Sequence, residues 1–179
     1  MKNIKIVLAL FVITGLVITS AWGMFAKGTT GSEADNKAKT EKVESLTDMK
    51  TAKINNQTWY LVENEQQLRS IGTGKYSMSA NYMINADITL SNMEWTPIGD
   101  YSNPFKGTFN GNGYKIKNLT ITSPTAKLIG LFGYAEDAKI YNVHLTNVDI
   151  SKAGSTGKSV GAIVAIGIDC EICDNKVEA

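Results

Sequence analysis

The side chains able to act as catalysts or ligands in this chain are few and scattered. There is one histidine, His144, between Val143 and Leu145. A zinc hydrolase of the H-E-x-x-H kind needs two imidazoles one helical turn apart and a glutamate to activate water, so that chemistry is excluded. Strand alternation turns His144 toward solvent, away from its two apolar neighbours. Asp87, Asp100 and Asp149 are the candidate acids for cleaving a polysaccharide, a reaction that needs two carboxyl groups on one bond. Their spacing does not bring two of them together, and no arginine follows Arg69 to hold a uronate carboxylate. Turn capping is the simpler role for Asp87 and Asp149. Cys170-Glu171-Ile172-Cys173 has redox or half-zinc spacing, but it lacks a second pair or a following helix. Alternation puts Cys170 and Ile172 on one face and Cys173 on the other, as in packing residues. Asn110-Gly111-Asn112-Gly113 lacks the carboxylates a calcium loop needs and reads as a tight turn. Trp95, Tyr101 and Phe105 surround Pro97, where aromatic rings could stack on a sugar; burial at a corner of the fold is the alternative. No catalytic residue, cofactor site or metal site is expected.

The elements that must position these residues follow from composition. The 179 residues carry 18 Lys and Arg against 17 Asp and Glu. Beyond Lys53 the balance is 10 basic to 12 acidic, which excludes a clustered basic surface for nucleic acid. Two cysteines cannot hold the fold together. Lys2 and Lys5 precede the apolar run Ile6 to Ile18, the pattern of an export signal, with cleavage expected after Ala21 or Gly23. No charge occurs from Ile6 to Ala26, a stretch long enough to span a bilayer of about 30 Å, so an uncleaved anchor is the rival reading. Residues 1–26 are thus a signal peptide or signal anchor, placing the protein in the secreted fraction, at the cell surface, or on the membrane through this segment alone. No cysteine follows the run, which excludes a lipoprotein. Residues 27–53 carry six Lys, five acidic residues and no aromatic ring, and are expected to be a flexible polar linker.

From Ile54 to Ala179 the sequence predicts one all-β domain. Trp59 to Val62 reads as a strand, and Asn64 as an N-cap with Gln67 at the capping-box position of a short helix closing at Gly72. Short Ile, Val, Leu and Thr runs then alternate with Gly, Asn and Asp turns. Gly107-Thr108-Phe109 leads to the run Tyr114 to Ile121, and Gly130-Leu131-Phe132 leads to Ala138 to Leu145, setting Ile116 over Ile140 and Asn118 over Asn142 with an offset of 24 residues. A third copy, from Gly161-Ala162-Ile163 to Ile172 and Val177, is offset by 32. Such spacing suits a short right-handed parallel β-helix of about three to four coils, with an N-terminal strand and a small capping helix. Ile116, Leu119, Ile121, Ile140, Val143 and Leu145 are expected inside, and Lys115, Lys117 and Lys139 outside.

The runs W-T-P-I-G at Trp95, F-K-G-T-F-N-G-N-G-Y-K-I-K-N-L at Phe105 and I-G-L-F-G-Y at Ile129 resemble the GLUG-motif β-repeat family. That family occurs in bacterial surface adhesins and in non-catalytic regions of IgA-specific metallopeptidases. Val160-Gly161-Ala162-Ile163-Val164-Ala165 departs from the family's G-G-L-V-G, which puts the regularity of the last coil in question. The resemblance implies a non-enzymatic exported or surface module for adhesion or spacing. A carbohydrate-binding or carbohydrate-active domain is the second reading, and a piece of a larger surface protein or peptidase the third. Expected partners are a glycan, a host or cell-surface protein, or a second copy meeting the open end of the stack.

Overall fold

Runs of two to six residues, rich in β-branched and aromatic side chains and ended by Gly, Asn or Asp, form the strands of this all-β protein. The computed structural model describes residues 47–150 and 157–178, so the signal or anchor and residues 27–46 of the expected linker lie outside the described residues. In chain order, β1 (Lys50–Ile54) and β2 (Gln57–Val62) precede α1 (Glu65–Arg69), β3 (Asn81–Ile84) and β4 (Ile88–Thr89). Then come β5 (Thr108–Asn110), β6 (Lys115–Lys117), β7 (Leu128–Ile129) and β8 (Phe132–Glu136). The next set is β9 (Lys139–Tyr141), β10 (His144–Thr146), β11 (Ser159–Val160) and β12 (Val164–Ile168), followed by β13 (Glu171–Cys173) and β14 (Lys176–Glu178).

Non-consecutive strands pair in parallel, so the chain keeps returning to the same sheets. One sheet has the order β1-β2-β3-β5-β9-β13, another β4-β6-β10-β14, and β7 with β11 and β8 with β12 make two smaller ones. All pairings are parallel except β1 with β2. In the first sheet Tyr60, Tyr82, Phe109, Ile140 and Ile172 lie side by side, at steps of 22, 27, 31 and 32 residues. In the second, Ile88, Ile116, Leu145 and Val177 do the same at steps of 28, 29 and 32. Bends between strands use short polar residues in the left-handed region, where Asn and Asp cost least. They too recur in register: Asn118 with Asn147, Asp137 with Asp169, and Asn142 with Asp174. Asn147 Nδ2 donates to Asn118 Oδ1 at 2.8 Å, so the bend residues also bond to one another.

These registers correct the internal repeat read from the sequence. The last step of 32 residues, Ile140 to Ile172, is right, but the 24-residue offset is not. Ile116 lies beside Leu145, whereas Ile140 lies beside Phe109. The stretches around Ile116 and Ile140 resemble each other because both are a three-residue strand followed by an Asn at positive φ and a further extended run, but they occupy different sheets. For the same reason Asn118 pairs with Asn147 and not with Asn142. Phe109 and Phe132 are likewise not equivalent: they come from different sheets and meet edge to face, 5.1 Å apart. The divergent run around Gly161 is where the register slips: Val160 pairs with Ile129 and Val164 with Phe132, so Gly161, Ala162 and Ile163 stand against two residues, after which β12 pairs with β8 from Val164 to Ile168.

The side chains expected inside, Ile116, Leu119, Ile121, Ile140, Val143 and Leu145, are all buried, because alternation alone decides the face. The folded unit also begins earlier than Ile54. β1 closes one edge of the largest sheet through a two-residue turn at Asn55 and Asn56, both at positive φ as a type I′ turn requires. Met49 is buried, its N–H donates to the Tyr76 hydroxyl at 2.8 Å, and that hydroxyl donates to the Thr47 carbonyl at 2.9 Å. Asn64 caps α1 by accepting the Gln67 N–H at 2.9 Å. Gln67 reaches back to the Glu63 N–H, at 2.6 Å, and donates through Nε2 to the Asp48 carbonyl at 2.8 Å. The capping residue thereby fastens the segment ahead of β1.

Candidate functional site

The loop from Trp95 to Phe105 is the best-defined irregular segment, and its two ends are anchors. Trp95 is only 2% exposed. Its backbone N–H donates to the Thr120 carbonyl at 3.0 Å and its indole N–H to the Leu131 carbonyl at 3.1 Å. The Arg69 guanidinium lies 4.7 Å from the centre of its ring. Arg69 is itself fixed by Glu65 Oε1 at 2.8 Å and by the Met93 and Glu94 carbonyls at 3.3 Å, so it is a structural cation and not a free anion receptor. Phe105 is fully buried, with its ring 4.9 Å from that of Phe132 and its N–H donating to the Tyr134 carbonyl at 2.9 Å.

Of the three aromatic residues considered as ligand contacts, Trp95 and Phe105 therefore belong to the core, where hydrophobic burial outweighs any display on the surface. Tyr101 is different. It is 65% exposed, and its ring sits 5.2 Å from that of Tyr134. Two clefts of about 320 Å³ each flank the same loop and share Thr96, Pro97, Gly99 and Asp100. One extends toward Arg69 and Met78, the other past Tyr101 to Lys127 and Leu128. Tyr134 had no local signal in the sequence: it reaches the loop only because Phe105 pairs with Ala135, thirty residues later.

Two of the candidate acids, Asp100 and Asp87, are occupied by separate sets of hydrogen bonds. Asp100 Oδ1 accepts from the Ser102 hydroxyl at 2.6 Å, the Ser102 N–H at 2.8 Å and the Asn103 N–H at 2.9 Å, and these bonds hold its carboxyl below the usual range. Asp87 Oδ1 accepts from the Lys115 N–H at 2.9 Å and Oδ2 pairs with Lys117 at 3.0 Å, which lowers its carboxyl too. Asp149 joins its backbone to Leu119 and Ile121 beside Thr120. A residue the sequence reading did not single out, Glu94, accepts the N–H groups of Ser123 and Thr122 at 2.8 and 2.7 Å and is likewise held low. Asp87, Glu94 and Asp100 are carboxylates fixing a turn or a strand start, the role expected of Asp87.

The remaining reactive groups are similarly quiet. His144 lies on the outer side of β10, in register with Lys115 and Lys176, but it does not open to solvent as expected: its Nε2 is buried without a hydrogen-bond partner, 3.4 Å from Glu178 Oε1. Both cysteines are free. Cys170 packs against the core, and desolvation together with the Asp174 and Glu171 carboxylates pushes the Cys173 thiol up, away from the reactive thiolate. Asn110 is buried, and its Oδ1 accepts the Asn112 N–H at 2.8 Å, so the Asn-Gly run is a turn built on its own side chain. Among the described residues no group of His, Cys, Asp or Glu is placed to hold a metal ion.

The lowered carboxylates set an expected pH response. A carboxyl group whose pKa is depressed by folding contributes stability above its unfolded-state pKa, and the contribution is lost as pH falls through the folded value. Urea unfolding should therefore give steady stability near neutrality and a loss below the ordinary carboxylate range. A variant combining Asp87→Asn, Glu94→Gln and Asp100→Asn should be less stable at pH 7 and show a flatter acid limb; an unchanged acid limb would mean that these groups do not govern it.

Two curated proteins are similar to this chain. A Gly-rich membrane protein of Evansella cellulosilytica is 30% identical over 123 residues, covering 62% of this chain and 14% of that protein. Halomucin of Haloquadratum walsbyi is 26% identical over 117 residues, covering 57% of this chain and 1% of halomucin. The chain thus spans a small part of the relatives it matches. No family model matches it, and neither does any solved structure. Among the described residues no helix is long and apolar enough to cross a membrane.

Proposed function

We propose that the unit from Lys50 onward is a short right-handed parallel β-helix of the GLUG type, serving as a non-enzymatic exported or cell-surface module in adhesion or surface spacing. The observation that carries this reading is the set of parallel ladders, in which strands recur in register while the carboxylates of Asp87 and Asp100 are spent on local hydrogen bonds. The right hand is the one parallel crossovers almost always take. The membrane in the name of one relative supports a membrane or surface location. The test is to display the full chain on a non-adherent cell and measure retention on glycan-coated and protein-coated surfaces. Increased retention without release of unsaturated sugars from polysaccharides is expected; sugar release would overturn the non-enzymatic assignment.

A second reading, sugar binding, is favoured by one observation, the exposed Tyr101 ring beside Tyr134 at the mouth of a cleft. Removing one stacking ring costs about 0.5–1.5 kcal/mol. Tyr101→Ala should thus weaken any glycan found on an array by roughly two- to tenfold and leave the unfolding midpoint unchanged. Unaltered glycan binding by this variant would move the contact elsewhere.

A further inference from the structure

The cleft that runs past Tyr101 is walled by two segments that the ladders hold in place. One wall is Thr96 to Tyr101. There the Ile98 N–H donates to the Leu131 carbonyl at 3.0 Å, the Gly133 N–H to the Ile98 carbonyl at 2.8 Å and the Tyr134 N–H to the Gly99 carbonyl at 3.1 Å. The other wall is Ala126 to Leu128, where the Ser159 N–H donates to the Lys127 carbonyl at 2.9 Å and Leu128 pairs with Ser159. Gly133 lies between the two: a Cβ there would be 3.1 Å from Pro97 Cβ and 3.3 Å from Leu128 Cβ, so its bare backbone lets both apolar walls close over it. The volume of about 320 Å³ is at the small end of ligand sites, which run from about 300 to 1,000 Å³. A ligand entering this cleft meets walls already formed and loses little to ordering the protein.

The lining combines apolar surface with one charge of each sign. Pro97, Ala126 and Leu128 are apolar, and the Tyr101 ring stands exposed beside them. Among the described residues that line the cleft, only Asp100 and Lys127 are charged. Asp100 Oδ1 takes all three bonds from Ser102 and Asn103, which leaves Oδ2 as a spare acceptor. Lys127 is exposed and, unlike Lys106, Lys117 and Lys139, has no carboxylate partner among the described residues, so its Nζ is a spare donor. An anionic ligand is attracted by Lys127 and repelled by Asp100, and a cationic one the reverse. A wholly apolar ligand leaves both groups desolvated and unpaired. What satisfies the whole lining is an uncharged molecule with an apolar face and hydroxyl groups able both to donate and to accept.

We propose that this cleft binds one neutral pyranose unit of a glycan, its C–H face on the Tyr101 ring, one hydroxyl donating to Asp100 Oδ2 and a neighbouring one accepting from Lys127 Nζ. This assignment rests on the sugar-binding reading of Tyr101 and adds to it the class of sugar, an uncharged one and not a uronate. It also makes Lys127 a specificity residue.

Binding of the full chain, in mild detergent, to an array of neutral and acidic oligosaccharides at low and high ionic strength tests it. Neutral glycans should be retained, with an affinity that salt changes by less than about twofold, because no ion pair forms with the ligand. Lys127→Met should weaken that binding by about three- to tenfold. Asp100→Asn keeps the Oδ1 acceptor that holds the loop, replaces Oδ2 by a donor, and should weaken binding to a similar extent with the parent's circular dichroism retained. Retention confined to acidic glycans, screened by salt and lost in Lys127→Met, would overturn the neutral class and leave sugar binding at Tyr101 standing. Neutral binding that Tyr101→Ala weakens while Lys127→Met and Asp100→Asn leave it unchanged would overturn the polar contacts and spare the stacking. A folded chain that retains no glycan would overturn this assignment and the sugar-binding reading together.

Discussion

Phe132→Ala is expected to lower the free energy of unfolding by about 3–5 kcal/mol, the range for emptying a large buried aromatic position. Phe132 is fully buried and sits where three parts of the chain converge. Its ring lies 4.9 Å from Phe105 and 5.1 Å from Phe109, its backbone pairs with Val164 on one side, and it bridges to Ile98 on the other. Phe105 in turn contacts Tyr82, and Tyr82 stacks on Tyr60, so the cavity would open at the inner end of a row of rings that ends against Tyr76. Backbone ladders on both sides prevent the site from collapsing around the missing ring, which places the loss toward the upper part of the range. Against a total stability of roughly 5–15 kcal/mol, such a loss brings the domain close to its unfolding threshold. Phe132→Leu keeps most of the volume and should cost about 1.5 kcal/mol or less. Urea titration of both variants checks the order; equal costs would mean that ring volume is not what Phe132 contributes.

Gly130→Ala should cost about 3 kcal/mol, the upper end of overpacking effects, although it adds a single methyl group. A Cβ at position 130 would lie 2.2 Å from the Gly161 carbonyl oxygen and 3.0 Å from that of Phe132. Both neighbours are backbone, and the first belongs to the next passage of the chain, so relief requires separating β7 from β11 and not turning a side chain. The Leu131 and Phe132 N–H groups donate to the Ala162 and Ile163 carbonyls at 2.9 Å just beside this contact, and those bonds would stretch with it. Gly113 is the control. It has φ +79 with nothing within 4 Å of an added Cβ, so Gly113→Ala meets only left-handed backbone strain of about 1–2 kcal/mol. A Gly130→Ala variant as stable as Gly113→Ala would show that the neighbouring strand yields easily.

What could be read from the sequence divides along the range of the forces involved. The face each residue presents is a local property, so the inward set around Ile116 and Ile140 and the cap at Asn64 were legible. Register is not local. The two stretches of strand and positive-φ Asn are nearly interchangeable in sequence, and only the ladders to Leu145 and Phe109 separate them. β1 escaped notice because Lys-Thr-Ala-Lys-Ile has no apolar face, as suits an edge strand, and its polarity matched the segment before it. The candidate site failed in a similar way. Trp95, Tyr101 and Phe105 cluster in sequence, but the core took Trp95 and Phe105, and the partner of Tyr101 came from Tyr134, which no spacing rule connects to it. The Glu94 bonds to Thr122 and Ser123 have the same origin, joining residues that are distant in sequence and adjacent only after the sheets form.

The reversed direction of β1 decides how the domain would answer a mechanical pull on the chain before Thr47. Such a load enters at Lys50, the end of β1 farthest from the Asn55-Asn56 turn, and so peels β1 from β2 one pair at a time, starting at Lys50 and Leu61. Peeling loads bonds in series and shearing loads them together, so this strand is the weak direction of the largest sheet. Ahead of it stands a latch: the Tyr76 hydroxyl bonded to Thr47 and Met49, and Gln67 bonded to Asp48. While the latch holds, force passes to α1 and the core. Once it yields, five residues pay out and the edge of β2 is bared, exchanging a polar edge strand for one that carries Trp59, Leu61 and Val62.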